Sequence, residues 1–222
     1  MARKITKGER LNIGMDVFHV GLGWDVNDKA SPFPFDLDVS AFMISEATKK
    51  CPGDDYWVSY SSEIRVLPDN PTEIIPASHW SNDNKMRHES RPVDPEISVI
   101  GSLDDEDGAT SDDGDDETMD INLNRVRPDI SEIVICVSIF DYAARRQNFG
   151  QVERAYVRLY KPGQASGDGE IIYDLTEDFS ACASVEFCSL YRHQGEWKIK
   201  AIGIGHRGGI EELCGKFGIE IE

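Results

Sequence analysis

The sequence predicts a mainly β protein: a two-sheet antiparallel β-sandwich with one or two short helices, one of them at the C-terminus. Three features of the chain impose this. Stretches rich in β-branched and aromatic residues alternate apolar and polar side chains, the period of a strand with one buried face. Turn-forming residues separate them at short intervals, as in hairpin-connected sheets rather than helical crossovers. EIVICVSIF (132–140) is apolar without alternation, as a strand covered on both faces must be.

In chain order, FHVGLGW (18–24), DLDVSAFMI (36–44) and YWVSYS (56–61) read as strands. MDINL opens another, with Met119, Ile121 and Leu123 on its apolar face. After the central strand come AYVRLY (155–160), EIIYDL (170–175), SVEFCSLYRH (184–193) and EWKIKAIGIG (196–205). HQG (193–195) joins the last two as a hairpin, Gly195 supplying a positive φ. Ile210, Leu213, Cys214 and Phe217 recur at helical spacing, so a short helix packs one face on the sandwich until Gly218 ends it. YAARRQNFGQVERA (142–155) reads as a structured connection with a helical turn or two.

The least regular part is 62–110, an insertion on the surface of what is otherwise one domain spanning 1–222. It holds Pro68, Pro71, Pro76, Pro92 and Pro95, a density that bars a central strand and leaves only edge strands, around ISVIGS (97–102).

Composition narrows the function. The chain of 222 residues carries 41 acidic against 23 basic residues, a formal net charge of -18. That argues against direct nucleic-acid binding, which rests on Lys and Arg neutralising phosphates, and permits cation binding, a basic partner or mimicry of nucleic acid. MARKITKGERLNIGMDVF lacks the apolar core of a secretory signal, and no stretch has the roughly 20 apolar residues of a membrane span; a cytoplasmic address is expected. Cys51, Cys136, Cys182, Cys188 and Cys214 form no CxxC pair, which suits thiols used as small core residues in a reducing compartment. His19, His79, His88, His193 and His206 are scattered, so a structural zinc site is not expected.

Side-chain oxygens gather beside strand ends: Asp25 in GLGWD, Asp36 and Asp38 in FDLD, Asp115, Asp116 and Glu117 in GDDE, Asp141 in IFD, and Asp174, Glu177 and Asp178 in YDLTEDFS. Asp36 and Asp38 point to one side of their strand, about 7 Å apart. Like charges about 5 Å apart repel by roughly 3 kcal/mol at an effective dielectric near 20, so a convergent cluster needs a cation. Calcium takes oxygen donors from flexible loops, whereas zinc or iron would ask for His or Cys; magnesium also suits oxygen. The plain alternative is turn formation and solvated charge, and no EF-hand pattern is present. SDD (111–113) reads as solvated loop.

Enzyme signatures are absent: there is no GxSxG, GxxxxGK or HExxH, and GLGWD lacks the strand-to-helix context of a dinucleotide fingerprint. GIGHRGG (203–209) reads first as a tight strand-to-helix turn and second as an anion site.

VGLGWD, FDLDVSAF, GDDETMDINL, IFDYAARRQNFGQVERAYVRLY, YDLTEDFS, LYRHQGEWKIKAIG and GGIEELCGKFGIEIE, in this order, resemble the motifs of the TerD family of tellurium-resistance and stress-response proteins. They cover nearly the whole chain apart from roughly 45–100. The resemblance implies a calcium-binding β-sandwich with acidic loops at one end, in a cytoplasmic bacterial or phage protein, and no catalytic activity. The ligand set it implies is Asp25, Asp36, Asp38, Asp115, Asp116, Glu117, Asp141, Asn148, Asp174 and Asp178, for one or two Ca2+ ions. Expected partners are other proteins of the tellurium-resistance and stress system, with peripheral membrane association compatible and oligomeric state open. Ala181 and Cys182 replace the Thr and Glu that commonly follow this family's DFS, His206 stands where Phe is usual, and Arg154 where Asn is. The function expected is calcium-dependent interaction in resistance to tellurite, phage or other chemical and envelope stress. The alternatives are an acidic decoy working by charge without metal and, behind it, a metal-dependent phosphoester hydrolase.

Overall fold

The computed structural model describes residues 2–26, 32–33, 35–75, 84–103, 115–164, 171–174 and 179–221. Its strands and helices are, in order, β1 (Arg3–Ile5), β2 (Arg10–Asn12), β3 (Val17–Val26), β4 (Leu37–Ser45), β5 (Trp57–Val58), β6 (Arg65–Leu67), β7 (Asn70–Ile75), α1 (Asn84–His88), β8 (Arg91–Pro92), β9 (Val99–Gly101), β10 (Glu117–Asn122), β11 (Ile130–Ile139), α2 (Tyr142–Arg145), β12 (Val152–Tyr160), β13 (Ile171–Asp174), β14 (Ser184–His193), β15 (Glu196–His206) and α3 (Ile210–Phe217).

Two six-stranded sheets form the sandwich, the first ordered β1-β13-β12-β3-β10-β9 and the second β2-β15-β14-β11-β4-β5. Pairing is antiparallel except at the edge, where β1 runs parallel to β13. The alternation in β3 is realised directly: Phe18, Val20 and Leu22 are fully buried while His19 between them is half-buried. Met119, Ile121, Val157 and Leu159 join them from the first sheet, and Val39, Ala41, Met43, Ile133, Ile135 and Ile199 from the second, in one continuous core. Each such large side chain contributes about 1.5–3 kcal/mol relative to leaving it in water.

β11 is central in the second sheet, between β14 and β4, and Ile133 to Val137 are all buried. Its outer face is covered by α3, whose Leu213, Cys214 and Phe217 are buried, with the Phe217 ring 4.6 Å from that of Phe42 on β4. Gly218 ends α3 at φ 81, and the β14–β15 turn places Gln194 and Gly195 at φ 53 and 83, both in the left-handed region.

Two stretches depart from expectation. Of YWVSYS only Trp57–Val58 is strand, because a 3-10 turn over Asp54–Tyr56 leads into it and Ser62 closes the chain back, its Oγ accepting from Ser59 N–H and donating to Trp57 O. The described residues of the 62–110 insertion form more regular structure than its prolines suggest. It builds a third sheet, β7-β6-β8, around Val66, Val93 and Ile100, with β9 pairing onto the first sheet. Pro71 and Pro92 occupy the edge strands of that sheet, where a missing N–H is tolerated. Fully buried Arg65 ties it together, donating to Ser90 Oγ and to the carbonyls of Tyr60, Arg87 and Ser90 at 2.7–2.9 Å.

Candidate functional site

Antiparallel register carries the acidic stretches to one end of the sandwich. The C-terminal ends of β3, β11, β13 and β15 meet there with the N-terminal ends of β4, β10, β12 and β14. Asp25 lies opposite Glu153 across β3 and β12, Asp38 opposite Ser138 across β4 and β11, and Glu117 opposite Leu22 across β10 and β3. The Asp25 side chain and Glu177 and Asp178 lie outside the described residues.

The other candidates have individual settings. Asp36 precedes β4; its carbonyl accepts from Phe140 N–H at 2.8 Å, and its carboxylate, 14% exposed, lies 3.6 Å from Arg145 of α2. Asp116 accepts from the Trp24 N–H at 2.8 Å while its own N–H donates to Leu22 O. Glu117 is buried and accepts from Val39 N–H at 2.9 Å, linking the first sheet to the second. Asp38 and Glu117 share the wall of a small cavity of about 20 Å³, also lined by Arg65 and Tyr60. Asp141 is exposed, at φ 49, just before α2. The Asn148 side chain caps the 3-10 turn Phe149–Gln151, accepting from Gly150 N–H at 2.9 Å while Gln151 accepts from Asn148 N–H. Asp174 is exposed and paired with Lys4 of β1 at 2.7 Å.

Asp115 is the most constrained. Its carboxylate accepts from Arg158 Nε at 2.7 and 3.0 Å, from Arg158 Nη2 at 2.7 Å and from the Tyr156 hydroxyl at 2.9 Å. Both partners of the ion pair are buried, with side-chain exposures of 3% for Arg158 and 2% for Asp115. Arg158 also stacks on Tyr160, 4.5 Å from its ring centre. Burial, and then the Asp115 charge, push the Tyr160 phenol up to about 12 and the Tyr156 phenol higher still. Burial alone would ease a proton off Arg158, but the Asp115 bonds outweigh it and hold the guanidinium charged.

The glycines of VGLGWD explain how this pair fits. A Cβ on Gly21 would sit 2.0 Å from Asp115 Oδ2, and one on Gly23 would sit 2.4 Å from the Tyr156 ring. With both positions bare, the Asp115 carboxylate and the Tyr156 ring lie directly against the outer face of β3. Arg158 and Tyr156 belong to no acidic cluster; their mark in the sequence is a Tyr-x-Arg-x-Tyr alternation sharing one strand face, whereas Arg145 beside Asp36 leaves no such mark.

Among the described residues, no three Asp, Glu, His or Cys side chains are gathered closely enough to hold an ion. The donor chemistry at this end is nonetheless that of a hard cation, with carboxylate and amide oxygens on strand ends and turns. The turn after β15 is closed internally, since Gly208 N–H donates to Glu212 Oε2 at 2.6 Å. Among the described residues no helix is long and apolar enough to cross a membrane.

Fold and site together define a β-sandwich protein with an acidic loop end. The chain belongs to the TerD family: the TerD domain matches residues 1–73 and 77–217, so the match runs through much of the 45–100 stretch that the motifs leave out. The chain is 33% identical over 226 residues to general stress protein 16U of Bacillus subtilis, covering all of both chains. It is 36% identical over 201 residues to the tellurium resistance protein TerD of Serratia marcescens, covering 90% of this chain and 86% of that one. The fold is shared with a solved Streptomyces coelicolor homologue of the telluride resistance protein, at a TM-score of 0.54 and 17% identity over 90% of this chain and 95% of that one.

Proposed function

We propose that the protein is a non-catalytic calcium-binding module of a tellurium-resistance or general stress response, meeting partner proteins through its acidic end. One observation carries this reading: the fold brings Asp36, Asp38, Asp116, Glu117 and Asp141 to the same end of the sandwich, beside the backbone of Asp25. Bound calcium would supply positive charge and loop-spanning coordination. Asp25, Asp36, Asp38, Asp116, Glu117, Asp141, Asn148 and Asp178 are the proposed donors. Asp115 and Asp174 play a different part, because Arg158 and Lys4 neutralise them, and Asp115 fixes the backbone that presents Asp116 and Glu117.

Calorimetric titration of chelator-treated protein with calcium tests it. Saturable binding that weakens about tenfold or more in Asp116→Asn or Asp38→Asn is expected. Absence of saturable heat at millimolar calcium, with an unchanged melting temperature, refutes it. The charge-driven reading, motivated by the net charge of -18, instead predicts a basic partner whose capture survives chelation and fails in salt.

A further inference from the structure

The outer face of the second sheet has two halves. Over β4 and β11 it is covered by α3, whereas over β2, the start of β15 and the end of β14 it carries half-exposed and exposed polar side chains. There Arg10, Leu11, Asn12, Tyr191, His193 and Lys198 line an open cavity of about 470 Å³. Register adds Lys200, which lies opposite Arg10 across β15 and β2 and two residues along the strand from Lys198, on the same face. This cluster lies away from the acidic end.

In a chain with 41 acidic and 23 basic residues, a group of cations would be expected to find carboxylates. These do not: among the described residues Arg10, Lys198 and Lys200 form no ion pair. The adjacent acids are Glu196, whose carboxylate accepts from Asn12 Nδ2 at 3.1 Å, and Glu132, opposite Tyr191 in register. Neither forms an ion pair with Arg10, Lys198 or Lys200, so these cations are left to face the cavity.

We propose that this cavity binds a phosphate-bearing ligand. The Arg10 guanidinium offers the planar fork that matches two phosphate oxygens, and Lys198 and Lys200 add compact charges beside it. Two cations lining the cavity and a third beside it suit a group carrying more than one negative charge. The Tyr191 ring, opposite Lys198 on the same face, provides an apolar surface for the organic part of the ligand, and the volume is within the range of small-molecule sites, about 300–1,000 Å³. A soluble phosphate ester and a phospholipid headgroup share this chemistry.

The full-length protein, kept in chelator so that calcium plays no part, is titrated calorimetrically with pyrophosphate and with adenosine monophosphate. In parallel it is sedimented with vesicles of phosphatidylcholine alone or with phosphatidic acid. Arg10→Gln/Lys198→Gln is compared with wild type, its fold checked by melting temperature; both positions are solvent-facing. Binding to either soluble phosphate identifies a soluble ester as the ligand source, and binding only to phosphatidic acid vesicles identifies a headgroup. In either case the double variant should bind at least about tenfold more weakly, and raising salt from about 0.05 to 0.5 M should weaken wild type. No binding to any of the three phosphate probes at low salt, or equal binding by wild type and double variant, overturns the proposal. Loss of calcium binding at the acidic end would leave this result unchanged.

Discussion

Replacing Arg158 by Met should be among the most destabilising single substitutions in this protein. The guanidinium makes three bonds of 2.7–3.0 Å to Asp115, and the side chains are 3% and 2% exposed. Its removal leaves the Asp115 carboxylate buried with the Tyr156 hydroxyl and without a counter-charge. Breaking a buried pair from one side costs about 3–5 kcal/mol. For a chain of this size about 2–4 °C of melting temperature corresponds to 1 kcal/mol, so a fall of roughly 6–20 °C is expected. Asp115→Asn/Arg158→Met removes both charges, and should lose less than the sum of the single variants by about 2 kcal/mol or more. Urea unfolding followed by tryptophan fluorescence measures all four corners of the cycle. A loss below about 1 kcal/mol in Arg158→Met, or strict additivity in the double variant, would refute the account of Asp115 as the buried anchor of the acidic stretch.

Gly21→Ala drives a methyl group to 2.0 Å from Asp115 Oδ2, so it should destabilise through the same ion pair, and combining it with Arg158→Met should add little; additive losses would contradict this. On the proposed calcium-binding reading, chelation should lower the melting temperature by an amount equivalent to about 2.7 kcal/mol relative to protein held with calcium at a hundred times the dissociation constant; scanning calorimetry with and without chelator reads it. Burial works against the charge on Asp120, but the His19 hydrogen bond and the Arg91 charge outweigh it and hold its carboxyl below the usual range. A depressed folded pKa gives stability that is present above the unfolded value near 3.9 and lost as pH falls through the folded one, so Asp120→Asn should weaken the protein at pH 7 by about 1 kcal/mol or less and converge with wild type in acid. Burial pushes the thiols of Cys51, Cys188 and Cys214 up to about 12 and that of Cys136 well up. Native protein should therefore be alkylated at pH 8 first at half-buried Cys182, and rapid labelling of Cys136 would show that the core opens.

The local layer of the fold is legible in the chain. Alternation over 18–22 and 119–123, the unbroken apolar run at 132–140, Gly195 in its turn and Gly218 after its helix all act over a few residues, and each is realised where the sequence puts it. The acidic stretches at strand ends are visible in the same way, because antiparallel connections bring alternate strand ends to one side. The ordered third sheet is not visible, since β6 and β8 have only 3 and 2 residues, too few for a period to emerge, and the Arg65 that ties them bonds mostly to carbonyls, which leave no mark in sequence.

Residue types alone determined a β-sandwich with oxygen donors at its strand ends. Tertiary structure decided which of those donors are already engaged. Asp115 and Asp116 are adjacent in the chain, yet one is locked 43 residues away onto Arg158 and the other accepts a backbone N–H from Trp24. It also decided that Arg10 and Lys198, far apart in sequence, would share one cavity wall. Local periodicity fixes which face a side chain takes, but strand order and register fix what it meets there, and those are set by the packing of the whole chain.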